Sequence, residues 1–585
     1  MLATQMRRAS LAALLWLLPL AVLAQHHGAS FGKGPQISPC EKVYSDPDLI
    51  SDLVKASTSF QISTSKPEAR DFFRQGFTLL TGLNYEDAMR SFRKAAKLDD
   101  SFAMAHWGAA LAVGPNINIG MDSTCAKVGK SESEAAWNMA KVQLPKRQIT
   151  QKEYDLIEAL LPRYNGSLNN EAGYALAMKK VAEKYPEDAY VGGLYAEALM
   201  DLRPWGLYDR SGRPVSGTLE IISVLTEAIK NDPNSTGGNH FYIHAVESSP
   251  GLAPDPVQAK KSADLLRTLV PSSGHLVHMP SHIYMRLGDY RSAVKSNQDA
   301  EKIDDDLYGR FCQGSYEKYV NEPRCLPNYF GHYQSHNLKF LSVANGFLGK
   351  GNDSLAAARK TASHALRFLP NDPALQHYLT APLLVLVNHH QWDEVLKETV
   401  PKECAAQQDG CHLIRAVWHW AQGMANAAKD QPDVAENYDY PRFLAERGAI
   451  RFLPWGNNTP ESLLKIADQL LRARIASARQ RPDVAIEHLS IAMTLEDDLI
   501  YDEPPPWFYP LRDALGGALL QARLYSGAAG LFEEDLRRNP GNGRSLFGLA
   551  ESLKTLKDPQ WERYDKMYRE AWKEADRPLT VSDLW

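Results

Sequence analysis

Residues 66–100 read KPEARDFFRQGFTLLTGLNYEDAMRSFRKAAKLDD. Gly76, Tyr85, Ala88, Phe92 and Ala95 place small and aromatic side chains where two packed helices need close approach or a filling ring. A first helix, a tight turn and a second helix follow from that spacing. The next unit opens near Ala103 and carries Trp107-Gly108 in its first helix. The same register returns in RLGDYRSAVKSNQDAEKID, with Gly288, Tyr290, Ala293 and Ala300. It returns again around Ala228 and Pro233, around Ala358, Ala362, Ala365 and Pro370, and around Ala485, Leu489 and Ala492. A late copy has Gly516, Ala528, Phe532 and Pro540, and Leu546 to Leu553 opens the last.

This pattern resembles the 34-residue tetratricopeptide repeat, in which a helix A and a helix B stack on the next pair. Strand signals are almost absent. The expected fold is therefore all-α, a right-handed superhelix of roughly nine to eleven helix pairs over residues 60–575. Length alone, 585 residues, suggests about four domains. The repeat replaces them with one solenoid: an N-terminal array over 61–400 with a His-rich groove, an irregular joint over 401–460, and C-terminal repeats over 461–585. Its closing helix, QWERYDKMYREAWKEAD, has the polar character of a cap.

Apolar residues make up 44% and charged residues 23%, which excludes a disordered chain and a multi-span membrane protein. Net charge is −5 with a pI near 6.4, so nucleic acid is not an expected partner. Residues 1–24, MLATQMRRASLAALLWLLPLAVLA, combine Arg7 and Arg8, an apolar run from Leu11 to Leu20, and small residues at Val22 and Ala24. They read as a cleaved signal peptide, and 25–60 as an extended arm. Export to a periplasm or the cell exterior follows, with no transmembrane segment left after cleavage. Cysteine usage agrees: sequence proximity pairs Cys312 with Cys325 and Cys404 with Cys411, leaving Cys40 for Cys125, among many possible connectivities.

The histidines are crowded as well as ordered. NHFYIHAVE holds His240 and His244, then Glu247; GHLVHMPSHIYMR holds His275, His278 and His282; GHYQSHNLKF holds His332 and His336. Residues three or four apart share a helical face, about 5–6 Å between Cβ atoms, which lets two imidazoles grip one ion. Pro280 departs from a plain helix and either opens a first turn or makes a kink. The run is not HExxH, because Ala245 follows His244, so a zincin protease is not indicated. Tyr242, Tyr284, Arg286 and, farther off, His106 are candidates for substrate contact or for orienting the ligands. DEPPPWFYP around Glu503 and Trp507 reads as a rigid aromatic lead-in to a late repeat, and AHWGAALAVGPNINIG as a repeat helix with its exit loop.

The repeat resemblance implies that His275, His278 and His282 occupy helix-A positions lining the concave groove, with His244 beside His278 from the preceding repeat. The whole chain resembles exported tetratricopeptide-repeat proteins sharing an NHxYIHxxE…HMPxHIYxRxGxY segment. It has a looser likeness to the tetratricopeptide repeat protein 38 group. Neither resemblance implies a reaction. A transition metal, copper, zinc or iron, is the expected cofactor. Paired three-histidine sites resemble dicopper centres in ligand type only, and Glu247 would suit zinc or iron more than copper. The expected function is an exported metalloprotein, a metal-dependent oxidoreductase or hydrolase acting on a small molecule. The alternative is a scaffold whose groove binds a peptide or protein, with the histidines as polar lining.

Overall fold

The computed structural model describes Cys40 and residues 60–165, 170–311, 329–370, 372–404, 410–451, 453–508 and 510–585. The signal segment, all of the arm except Cys40 and Phe60, and Cys312 with Cys325 lie outside the described residues.

Among the described residues the chain is helical, without a strand beyond two isolated bridges. Helix–turn–helix pairs follow one another: α1 (Pro67–Thr81) with α2 (Tyr85–Leu98), α3 (Ala103–Leu111) with α4 (Ser123–Gln143), α5 (Gln151–Tyr164) with α6 (Glu171–Lys184). Then come α7 (Ala189–Met200) with α8 (Thr218–Asn231), and α9 (Thr236–Val246) with α10 (Pro256–Leu269). Two short helices, α11 (Gly274–His278) and α12 (Pro280–Leu287), together face α13 (Tyr290–Phe311), and α14 (Ser335–Phe347) faces α15 (Gly351–Phe368). Between 376 and 449 short helices flank a long one, His412–Ala428, and the last pairs run from Pro460 to Ala571. No described helix is long and apolar enough to cross a membrane.

One aromatic wedge explains the first pairing. Phe92 is fully buried, and a Cβ added at Gly76 of α1 or Gly108 of α3 would stand 2.9 or 2.5 Å from its ring. The missing side chains let three helices close on one ring. Phe532 repeats the device: a Cβ at Gly516 or Gly548 would lie 2.6 or 2.2 Å from it. The turns repeat too. A left-handed residue stands two positions before the second helix at Leu83, Gly288, Gly349, His390, Asp430, Gln480 and Arg523. At Gly288 the backbone also meets Pro540, whose carbonyl would be 2.0 Å from an added Cβ. Glycine is required there on both counts.

The superhelix turns back on itself. The Tyr290 hydroxyl donates to the Pro540 carbonyl (3.0 Å), and the Asp576 amide donates to the Gly349 carbonyl (3.1 Å). One hydrophobic core runs from Cys40 to Trp585, with a smaller one in the last pairs. Cys40 is bonded to Cys125 and Cys404 to Cys411. Non-helical segments fill the inner groove instead of leaving it open. The Asn118 amide donates to the Tyr333 hydroxyl (3.0 Å), and the Trp205 indole donates to Asn118 Oδ1 (3.1 Å).

Candidate metal centre

The groove brings six imidazoles together in two groups of three. The ligand-type atoms of His240, His244 and His275 all lie within 4.8 Å of one another, and so do those of His278, His282 and His336. The groups adjoin: the His275 ring is 5.8 Å from His278, and His244 is 5.8 Å from His282. α9 carries the first pair. Its start is capped by Ser235, whose hydroxyl accepts from the Gly238 amide. Met279 keeps helical angles (φ −48°, ψ −38°), so Pro280 opens α12 without breaking the rise that aligns His278 with His282. The neighbours of His244 are His240, His282 and His275. His244 thus packs against the imidazoles one turn before and one turn after His278 in the next repeat.

Each group is anchored from behind. His240 Nδ1 donates to the Thr81 carbonyl (2.6 Å), and His278 Nδ1 donates to Asn297 Oδ1 (2.6 Å). The amide of Asn297 is oriented by its own donation to the Ala293 carbonyl. Glu247, fully buried at the end of α9, accepts from His244 Nδ1 on one oxygen (2.6 Å) and from His282 Nδ1 on the other (2.5 Å). Carbonyl and carboxylate oxygens only accept, so these four imidazoles carry a proton on Nδ1; burial, which disfavours the charged form, leaves a lone pair on Nε2 of His240, His244 and His278. Phe340, one turn past His336, packs against His278, His282 and His336 at 4.6–5.1 Å. Tyr333 meets His275 edge-on at 4.8 Å and Trp205 meets His244 at 5.6 Å.

The inward nitrogens have little else to bind. His240 Nε2, His244 Nε2 and both ring nitrogens of His275 are buried without a hydrogen-bond partner. His278 Nε2 faces His282 Nε2 at 3.0 Å, and His336 Nε2 is 3.5 Å from the latter. Burial pushes the pKa of His240, His275, His278 and His336 well below the ordinary imidazole value, with neighbouring imidazoles adding to the effect.

Other expected residues fall elsewhere. Glu247 stands behind the imidazoles, holding two of them, so it is not placed as a ligand. His332 is in neither group: its Nε2 pairs with Asp372 (2.5 Å) at the cavity wall. Tyr242 is buried, the Tyr284 hydroxyl donates to Asp264 (2.8 Å), and Arg286 donates to the Ser249 carbonyl (3.2 Å). His106 pairs with Glu132 (2.7 Å).

A cavity of about 80 Å³ opens onto His244, His275, His282 and His336. Its walls include Trp205, Tyr333, Tyr378, Lys339 and, from the far end of the chain, Asp502, Glu503 and Pro504. The DEPPPWFYP segment is thus a cavity wall and not only packing. The Tyr501 hydroxyl lies 3.0 Å from Glu503 Oε2 and 3.4 Å from Glu247 Oε2. Burial lowers Lys339, against the pull of Asp502 and Glu503. It raises Asp502 to about 6, against Lys339. The sequence marks these residues only by an acidic pair before a proline run. A larger space of about 200 Å³, lined by His389, Arg544, Trp572 and Arg577 among others, contains no comparable cluster.

The architecture defines an all-helical solenoid of tetratricopeptide type enclosing two three-imidazole groups. No protein-family model matches the chain, and no curated protein matches it. Among solved structures, the human IFIT1 dimer with m7Gppp-AAAA is 12% identical over 91% of this chain and 99% of that one, with a TM-score of 0.34. The P58(IPK) TPR domain is 13% identical over 84% of this chain and 99% of that one, with a TM-score of 0.18. Both are helical solenoids, and the likeness is one of fold class.

Proposed function

We propose that this chain is an exported metalloprotein that holds two adjoining metal ions, copper in our reading, and acts as an oxidoreductase on a small molecule. The observation that carries the reading is the pair of Nε2 atoms of His278 and His282. Nδ1 of each ring is committed to an acceptor, so Nε2 is the atom each has left for a ligand, and the two face each other at 3.0 Å in a buried site. Two nitrogens at that distance share a cation, and where a proton would serve only this pair, a metal ion also takes His336 Nε2, 3.5 Å from that of His282. With Glu247 engaged by His244 and His282, the inward donor set is all nitrogen, which removes the argument for iron and suits copper or zinc. Copper would supply one-electron redox chemistry and an open position for a small ligand.

The protein's own groups have definable tasks. Glu247 fixes the orientation of one imidazole in each group, so the two groups share one anchor. Trp205, Tyr333 and Phe340 pack on the rings and exclude water from their backs. The cavity admits a few non-hydrogen atoms, and loops fill the groove around it. That closure weighs against the alternative, a peptide threaded along an open concave surface.

Elemental analysis tests the reading. Protein purified without chelators, from cells supplied with copper, zinc and iron, is expected to carry two metal equivalents per chain, one for each group. Less than about a third of an equivalent would overturn it.

A further inference from the structure

Lys339 of α14 brings an unpaired ammonium group to the wall of the imidazole cavity. The residue is 5% exposed, and among the described residues its Nζ has no hydrogen-bond or ion-pair partner. Its ring contact is Phe508, whose centroid lies 5.6 Å from Nζ. The two carboxylates of the same wall have other partners. Asp502 accepts from the Asn457 amide (3.2 Å), and Gly456 makes room for that oxygen, which would stand 1.7 Å from an added Cβ. Glu503 accepts from the Tyr501 hydroxyl (3.0 Å). No ion pair joins either carboxylate to Lys339. Tyr378, on the short helix Gln376–Leu379, is also buried at this wall, and its hydroxyl has no hydrogen bond among the described residues. An ammonium carries three donors and no acceptor, and a buried charge is as a rule paired. Lys339 and Tyr378 therefore hold donors in reserve for a ligand.

We propose that the ligand of this cavity is a small carboxylate, of about two or three carbons, gripped by the Lys339 ammonium and the Tyr378 hydroxyl. This rests on the metal-holding reading, because ions in the imidazole groups offset the charges of Asp502 and Glu503. Lys339 stands three residues beyond His336 on one face of α14. A carboxylate held there leaves its carbon atoms in the volume that the imidazoles border. Hydrogen bonds from an ammonium to a carboxylate are roughly twice as strong as those between neutral groups. The second carboxylate oxygen has lone pairs to spare for the Tyr378 hydroxyl. An uncharged molecule of the same size receives only the weaker bonds and leaves the buried ammonium unpaired.

The test is titration of the copper(II)-loaded full chain with acetate and with acetamide, its uncharged counterpart of the same size. Binding is read from the relaxation of the ligand methyl protons by the bound copper. In the wild type acetate is expected to act saturably and to bind roughly tenfold or more tightly than acetamide. In Lys339→Met that preference is expected to vanish at unchanged copper content. Tyr378→Phe is expected to weaken acetate severalfold, and it carries the test should Lys339→Met fail to fold. A wild type that binds acetate no better than acetamide, or binds neither, would overturn the proposal. So would a Lys339→Met protein that keeps the wild-type preference, because the carboxylate would then sit on the copper itself. An acetate affinity unchanged in Tyr378→Phe would likewise overturn it. Failure of the underlying reading shows separately, as a wild type that takes up no copper.

Discussion

Glu247 ties together two imidazoles that the sequence sets 38 positions apart: its two oxygens accept from His244 Nδ1 at 2.6 Å and His282 Nδ1 at 2.5 Å. One buried carboxylate thereby orients a ring in each three-imidazole group. Glu247→Gln can accept from only one of the two, and its amide must face the other Nδ1–H. The variant is expected to bind metal 10- to 100-fold more weakly, roughly the usual loss for a partner behind a ligand. Competitive chelator titration measures this. An unchanged affinity would remove Glu247 from the account.

The two groups should fail separately. His278→Ala or His282→Ala takes one ligand from the second group, and His240→Ala or His275→Ala takes one from the first. Each single variant is expected to lose close to one metal equivalent of two, and a His240→Ala, His278→Ala double variant both. Metal content per chain decides it. Complete loss from any single variant would mean one shared ion in place of two.

Acid should weaken the metal-free fold. His240, His275, His278 and His336 are held neutral by burial, with pKa values well below their ordinary ones. In the unfolded chain each takes a proton near pH 6.5. The unfolded state therefore binds more protons, and stability rises with pH through that region and falls below it. Each group contributes up to about 1.4 kcal/mol per pH unit. Urea unfolding of chelator-treated protein at pH 5 and 7.5 is expected to show lower stability at pH 5. In Glu247→Gln the loss should continue less steeply below the carboxylate range. Although burial raises Glu247, His282 and His244 hold its native pKa far below the unfolded value, so the stability it adds disappears only in acid.

The ring at Phe92 offers a test of the fold itself. Gly108→Ala places a methyl 2.5 Å from that ring, with Gly76 pressing from the other side. The expected cost is about 1–3 kcal/mol, from overpacking a filled core. Thermal denaturation measures it, and Phe92→Leu on the same background should recover part of the loss. A neutral Gly108→Ala would mean that the two helices are not in contact through this ring.

Much of this was legible in the sequence because the repeat states it locally. Gly76, Ala88, Phe92 and Ala95 mark a helix pair without reference to anything distant. The i, i+4 spacing of His240 and His244, and of His278 and His282, likewise fixes shared faces. What was not legible arises from superhelical closure. Nothing near Tyr501 and Glu503 indicates that they reach Glu247, more than 250 positions away. Asn118 looks like an ordinary exit-loop residue until the superhelix sets it against Tyr333 and Trp205. Glu247 follows His244 by three, a spacing equally suited to a ligand and to a support. Its role is decided by the proton on Nδ1 of two rings, one of them in the next repeat. His332 shares the four-residue spacing with His336, yet the π-helical turn at Tyr329–Gln334 rotates it toward Asp372.

The most direct test is X-ray absorption of the copper-loaded chain. The account predicts nitrogen or oxygen neighbours at about 2.0 Å, with outer-shell scattering from about three imidazoles per copper. A copper environment without imidazole scattering, or copper that washes out on desalting, would contradict it.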